Sequence, residues 1–407
     1  MTLALHDPAT YAHGFPHAEF AALREDGAIF HYDHPAWDNG YWVIPRFEDV
    51  QRVSRDWTAF KNAPDPFIPD RGDHETDGTS LLLISLDPPD HTKLRKLISA
   101  GFTPRRINDL SDHITRRVHS VIDSVADRNE CDLVHDIALW LPLHIIADLV
   151  GVPEEDRKQV FDWTELTFGF DASVTMDQRA EAMAQMFGYA DAMCAERRKE
   201  PRDDLISALI AAEVDGEKLT DLHLDFFFML LQNAGSETTR NLITTGTQTL
   251  LEHPGELTRL QADPSLLPTA IEELLRHSTP VMHFTRTATR DTEIAGQEIR
   301  EGDHVLMSYA SANRDDRAFA NPDGIDITRS PNDHVAFGAG GPHFCLGAHL
   351  ARLEGKLMFE AILQRFEGLE LACDPAEMPR VHSNLIDGFS ELPIRWKSVR
   401  PAPEDLS

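Results

Sequence analysis

The 407-residue chain predicts a mainly α fold: a single α-rich domain over residues 1–407, with small β-sheets at its edges. Helical periodicity fills most of the middle, and the strand-like segments are short and bounded by turn residues. No Gly-, Pro- or Ser-rich linker divides the chain, and 42% hydrophobic residues suffice for a substantial core.

Taken in order, the sequence predicts a helix over 16–25, a strand over 40–44 and a helix over 46–56. Residues 61–79 are rich in Pro, Asp and Gly, which predicts a long irregular loop. Within 61–86 it is the natural candidate for a flexible substrate-access lid. Residues 90–150 read as helix, broken near 101–104 and 129–131, and two more helices flank a turn near 171–175. Residues 219–252 form one long helix whose middle, Phe226-Phe227-Phe228-Met229-Leu230-Leu231, is apolar on every side and must be buried. A helix over 266–277 follows, then strands within 281–310 around a turn at Ala295-Gly296-Gln297. A glycine-rich loop and its helix span 337–366, and strands within 369–396 close the chain.

Net charge is −30, from 38 Lys+Arg against 68 Asp+Glu. That disfavours nucleic acid and anionic membrane surfaces as partners. Residues 91–108 are an exception: they hold no acid but five cations, Lys93, Arg95, Lys96, Arg105 and Arg106. Such an island fits an acidic docking partner. The four cysteines, Cys131, Cys194, Cys345 and Cys373, are scattered with no CxxC pair. This argues for a reducing, cytoplasmic location and against disulfides or a zinc site. The first residues are too short an apolar run for a signal peptide, and no run of about 18 uncharged apolar residues predicts a membrane anchor.

Four patterns carry chemistry. Phe337-Gly338-Ala339-Gly340-Gly341-Pro342-His343-Phe344-Cys345-Leu346-Gly347 delivers one cysteine to a helix start. A helix N-terminus favours negative charge and lowers thiol pKa. Gly340, Gly341 and Gly347 would let a flat, bulky group approach the backbone, and His343 adds a donor. Inside the long buried helix lies Ala234-Gly235-Ser236-Glu237-Thr238-Thr239. A helix that accepts Gly and Glu there is expected to open locally, with Thr238 offering a hydroxyl and Glu237 a proton. Glu273 and Arg276 lie three apart, the spacing of a helical ion pair. His91 and Arg95 lie four apart on one face, suited to gripping an anion, and Arg286 in a strand pattern adds a third cation.

The order and separation of these parts closely resemble the cytochrome P-450 family, haem-thiolate monooxygenases in their soluble bacterial form, across essentially the whole chain. The resemblance implies haem b held through the Cys345 thiolate. Thr238 and Glu237 then correspond to the alcohol and acid that protonate bound oxygen. His91, Arg95, Arg286 and His343 correspond to the donors for the haem propionates, with Ala234, Gly235, Phe337 and Gly347 also against the cofactor. Glu273 and Arg276 correspond to a structural ion pair, with Arg329 as third member. Leu230, Asn233, Val281, Met282, Leu385 and Ile386 fall where substrate is met, implying an apolar small molecule such as a lipid, terpenoid, steroid or aromatic hydrocarbon. Lys93, Lys96, Arg105, Arg106 and Arg352 fall on the redox-partner face. No flavin or nicotinamide fingerprint occurs, so electrons for O2 activation are expected from NAD(P)H through a ferredoxin reductase and an iron–sulfur ferredoxin. Two departures stand out. Gly338 takes the position seven before the cysteine where phenylalanine is commonest, with Phe337 eight before; this longer loop occurs in bacterial members acting on branched lipids, steroids and terpenoids. Gly324 stands where many members carry arginine. Two competing readings are a haem-thiolate sensor or carrier without turnover, which needs no Glu237–Thr238 pair, and a peroxide-driven peroxygenase.

Overall fold

The computed structural model describes residues 3–403 except 28, 36–38, 65, 69–81, 169–173 and 215. The expected access loop and the turn near 171–175 therefore lie partly outside the described residues. The helices are α1 (His17–Asp26), α2 (Phe47–Arg55), α3 (Asp90–Ser99), α4 (Pro104–Asp109), α5 (Ser111–Asp123), α6 (Trp140–Val150), α7 (Arg157–Phe168), α8 (Met176–Lys199), α9 (Leu205–Ala211), α10 (Asp221–Glu252), α11 (Pro254–Ala262), α12 (Leu267–Ser278), α13 (Tyr309–Ala312) and α14 (Ala348–Arg365). The strands are β1 (Phe30–Tyr32), β2 (Tyr41–Ile44), β3 (Phe60–Lys61), β4 (Glu130–Asp132), β5 (Glu213–Val214), β6 (Glu217–Lys218), β7 (His283–Ala288), β8 (Thr292–Ile294), β9 (Gln297–Ile299), β10 (His304–Ser308), β11 (Phe366–Glu367), β12 (Glu370–Leu371), β13 (Pro393–Arg395) and β14 (Ser398–Val399).

Local chemistry explains the boundaries. Thr220 caps α10 and Thr175 caps α8, each in a reciprocal capping box, with His223 and Gln178 at the third position. Gly151 ends α6 in the left-handed region at φ 92°. Helix α14 differs, because Gly347 at its N-cap supplies no side-chain acceptor. Its first N–H groups therefore receive no side-chain cap from that residue.

Helix α10 forms the axis of the largest apolar cluster, in which Phe226, Phe227 and Phe228 pack with residues of α5, α6, α8 and α14. The main sheet runs β1-β2-β10-β7-β3 at one side. In this sheet β2 and β10 pair in parallel, and β7 pairs antiparallel with β10 through His304↔Thr287 to Ser308↔His283. The β4, β12 and β13 strands make a three-stranded sheet, with two-stranded pairs elsewhere. The closing region differs from expectation: residues 372–392 are largely irregular rather than stranded. Leu133–Val150, comprising a π-helical turn and α6, is long and apolar enough for a membrane span, yet 72% of it is buried inside the fold. A core helix passes the same test.

Candidate active site

The cysteine loop is closed by its backbone. Gly338 N–H donates to the Val335 carbonyl and Cys345 N–H to the Phe337 carbonyl, both at 2.9 Å. Gly338, Gly340 and Gly341 lie at φ 91°, 93° and 80°, which side chains strongly disfavour. A Cβ at Gly341 would stand 2.3 Å from the Ser54 carbonyl oxygen, and one at Gly340 would stand 3.1 Å from Arg55 Nε. These two glycines therefore answer to turn conformation and to contact with α2. Gly347 has open space around it.

Cys345 is solvent-accessible but set deep among protein groups. Burial raises its thiol pKa, opposed by the Gly347 and Ala348 N–H groups and by Arg95 and Arg352. The lowered thiol pKa expected from the helix end is thus overturned: desolvating a thiolate outweighs the uncapped turn. Metal ligation reverses that balance by deprotonating the sulfur outright.

Beside the loop the structure gathers the four predicted anion donors. His91 is buried, with its ring centroid 4.1 Å from that of His343. Arg95 donates to the Phe344 carbonyl at 2.5 Å, next to the cysteine. Arg286 is buried, donating to the Thr285 carbonyl at 2.7 Å and to the Tyr309 hydroxyl. Burial, then the neighbouring cations, lowers His91 to about 4 and His343 to about 2, so both rings are neutral at pH 7. His91 Nδ1 and His343 Nε2 are buried and unpartnered. Buried polar atoms demand partners, and a pair of ligand carboxylates is the anionic group this donor set fits. The residues present thus fit a haem with its propionates.

On α10 the predicted opening is absent, since Asp221–Glu252 is one continuous α-helix. Ser236 and Thr238 instead donate to the carbonyls of Gln232 and Ala234, at 2.6 and 3.0 Å. Gly235 has a packing reason, because a Cβ there would meet Ile146 Cδ1 of α6 at 2.6 Å. Ala234 is exposed and Thr238 partly exposed, while Ser236, Glu237 and Thr239 are buried. Glu237 pairs with Arg240, one helical turn on. Burial nevertheless raises Glu237 to about 7, with Arg240 pulling it down and Glu165 of α7 pushing it up. Sequence reasoning missed Arg240, although its i+3 spacing was readable, and Glu165, which had no local signal.

Glu273 is fully buried. It accepts Arg276 through both oxygens at 2.8 Å, Arg329 Nε at 2.9 and 3.1 Å, and Asn332 at 3.1 Å. Arg276 also donates to the carbonyls of Asn313, Pro322 and Gly324. Burial opposes ionisation of Glu273, but these bonds win and hold its pKa down. The adjacent Glu272, also missed, takes Arg352 at 2.6 and 2.8 Å and His334 at 3.1 Å, which hold it at about 2 against burial. Arg352 further lies 4.5 Å over the Phe337 ring. Its guanidinium is thus shared between Glu272 and the loop while the side chain stays partly exposed, through long-range partners the sequence hides.

Of the six predicted substrate residues, Leu230, Asn233, Val281 and Leu385 are partly buried, and Val281 bridges Ile386. Met282 is fully buried in a separate apolar cluster with Leu5, Tyr11 and Phe20. Alternation along extended chain points it away from Val281, so it leaves the set. On the basic island, Lys93 pairs with Glu217 and Arg106 with Asp203, each at 3.6 Å, and Lys96 and Arg105 are exposed.

With this geometry in hand, comparison with known proteins is direct. The cytochrome P-450 family model matches residues 37–385. The chain is 41% identical to a steroid C26-monooxygenase of Rhodococcus jostii (strain RHA1), over 97% of this chain and 84% of that protein. It is 37% identical to a methyl-branched lipid omega-hydroxylase of Mycobacterium bovis (strain ATCC BAA-935 / AF2122/97), over 93% and 90%. Its structure resembles CYP108D1 from Novosphingobium aromaticivorans, with TM-score 0.88, 34% identity and 97% of both chains covered. It also resembles CYP109E1 from Bacillus megaterium in complex with testosterone, with TM-score 0.85, 31% identity, and 94% of this chain and 99% of that chain covered.

Proposed function

We propose, from the premise that this chain belongs to the cytochrome P-450 family, that it hydroxylates a steroid or methyl-branched lipid near the end of an aliphatic chain, with Cys345 as the thiolate that would hold the haem iron. It is a haem-thiolate monooxygenase that uses O2 and reductase-supplied electrons on apolar substrates. The haem, when bound, supplies O2 binding and activation at an iron made electron-rich by the thiolate.

The chain's own groups do the rest. His91, Arg95, Arg286 and His343 bind the propionates as neutral or cationic donors. Thr238 presents its hydroxyl at the accessible turn of α10 and passes a proton. Glu237, half-protonated near neutrality, supplies it from a buried position where bulk water does not compete. Leu230, Val281, Leu385 and Ile386 provide apolar lining that excludes water and orients the chain end. The single observation that carries this reading is the pair of buried, unpartnered imidazole nitrogens at His91 and His343 beside Cys345.

An acidic iron–sulfur ferredoxin served by a separate reductase is the electron donor, docking at Lys96, Arg105 and, once their exposed pairs yield, Lys93 and Arg106. The unpaired state of the four cysteines supports a cytoplasmic setting.

Titration of the holoenzyme with sterols, methyl-branched fatty acids, terpenoids and aromatic hydrocarbons, followed by product analysis, tests the substrate class. Spectral binding and terminal hydroxylation of the first two groups are expected. Turnover confined to aromatic hydrocarbons contradicts it.

A further inference from the structure

Leu385 and Ile386 are carried by a short loop whose own supports lie outside the pocket. Its base is closed by Arg380 on Asp387 at 3.1 Å and by Val381 N–H on the Gly388 carbonyl at 3.0 Å. At its tip the buried Ser383 hydroxyl accepts the Leu385 and Ile386 N–H groups, both at 3.0 Å. Such side-chain bonds fix a tight local turn. The loop is also zipped to the segment before β7. Met282 N–H donates to the Leu385 carbonyl at 2.8 Å, and Asp387 N–H to the Pro280 carbonyl at 2.9 Å.

A further contact reaches the N-terminal segment. The Asn384 side chain is buried, and its Nδ2 donates to the His6 carbonyl at 3.0 Å, while its own carbonyl accepts His283 Nε2 at 2.6 Å. The His6 ring in turn pairs with the Tyr32 hydroxyl of β1 at 2.6 Å. The segment that makes this contact is closed on itself. Asp7 caps a short helical turn over Pro8–Tyr11, Thr10 Oγ1 donates to the Ala4 carbonyl at 2.8 Å, and the Tyr11 hydroxyl donates to the Leu5 carbonyl at 3.1 Å. Leu5 and Tyr11 lie in the apolar cluster that buries Met282, the residue after Val281. The N-terminal segment therefore supports both chains of this pocket wall, one by packing on Met282 and one by the hydrogen bond to Asn384.

We propose that residues 4–11 are a brace that sets where Leu385 and Ile386 stand, with Asn384 as the positioning residue, and that this brace selects which carbon of a bound aliphatic chain is oxidised. The inference rests on the reading of Leu385 and Ile386 as substrate lining. Neighbouring carbons of an aliphatic chain differ little in chemistry, so their order of attack follows from placement. A displacement of about 1 Å in a positioning group is enough to change that placement.

The test compares the natural holoenzyme with Asn384→Ala and Tyr32→Phe. Each is turned over with NADH, ferredoxin reductase and ferredoxin on two probes, cholesterol and isopalmitic acid, and the ratio of terminal to inner-carbon alcohols is measured. That ratio is set within each turnover, so a loss of folded or haem-loaded protein does not move it. Asn384→Ala should lower it several-fold, and Tyr32→Phe, which frees only the His6 ring, should lower it less. Loss of turnover at an unchanged ratio overturns the proposal. The second measurement is amide hydrogen exchange in the peptide spanning 380–389 without substrate. Exchange at Leu385 and Ile386 should quicken several-fold in Asn384→Ala, because a loop stripped of a support opens more often. Unchanged exchange also overturns the proposal. If Asn384→Ala does not fold, Asn384→Ser and Tyr32→Phe decide by the same two readouts. Failure of the parent reading would show in the natural protein, which would then give no spectral response to either probe, and the exchange measurement would still decide the brace.

Discussion

Thr238 and Glu237 are neighbours in sequence with opposite surroundings. Thr238 is partly exposed and its hydroxyl rests on the Ala234 carbonyl, while Glu237 is buried against Arg240. The proposed division of labour follows: the hydroxyl transfers a proton and the acid replenishes it. Thr238→Ala is expected to keep NADH consumption while product falls and peroxide accumulates; equal product per NADH would reject the assignment. Glu237 carries a pH signature. Its pKa is raised to about 7, so the protonated donor is depleted as pH rises through 7. Turnover limited by proton delivery should decline on that side, and Glu237→Gln should lower it by about 10²-fold or more, the usual contribution of a general acid, and remove the alkaline limb. A profile unchanged by the amide removes Glu237 from the relay. At this scale the sequence offered residue types and spacing, and these single out Cys345 and the proposed donors His91, Arg95 and His343 that the structure gathers near it. It did not offer desolvation, which raised the Cys345 thiol instead of lowering it.

Elements decide the next set of effects. Glu273 joins α12 to the segment 326–332 through Arg276, Arg329, Asn332 and the Asp326 N–H. Removing one partner strands a buried charge, a loss of about 3–5 kcal/mol. Glu273→Gln and Arg329→Ala should therefore yield little soluble holoprotein, and recovery of normal haem content would contradict the structural role. Gly341→Ala forces a residue with φ 80° against the Ser54 carbonyl. A loss of about 1–3 kcal/mol for such strain should appear as a lower melting temperature with detachment of the cysteine loop from α2; an unchanged melting temperature would speak against that packing. Helix α10 was legible from its apolar middle and α14 from the glycine loop before it, because both signals are local. The apparent break at Gly235 was not a break, since the signal there was a helix-packing contact with Ile146. Pairs such as Glu272 with Arg352 join residues 80 apart, and no window of sequence shows them. Met282 was misassigned for a smaller reason: one residue's shift along extended chain exchanges the two faces.

At the scale of the whole molecule, a chain of net charge −30 presents a local basic patch around α3 and α4. Attraction of an acidic ferredoxin to that patch is screened by salt. The rate of ferredoxin-supported turnover should fall several-fold between low and high ionic strength, with Lys96→Glu and Arg105→Glu additive to that fall. A salt-independent rate would move the docking site elsewhere. The sulfur of Cys345 binding porphyrin iron is the central claim, and one measurement addresses it directly: the absorption spectrum of the purified, reduced protein under carbon monoxide. The account predicts the strongly red-shifted Soret band peculiar to a thiolate ligand, lost in Cys345→Ala. A band like that of a histidine-ligated globin, or one that survives the substitution, would contradict it.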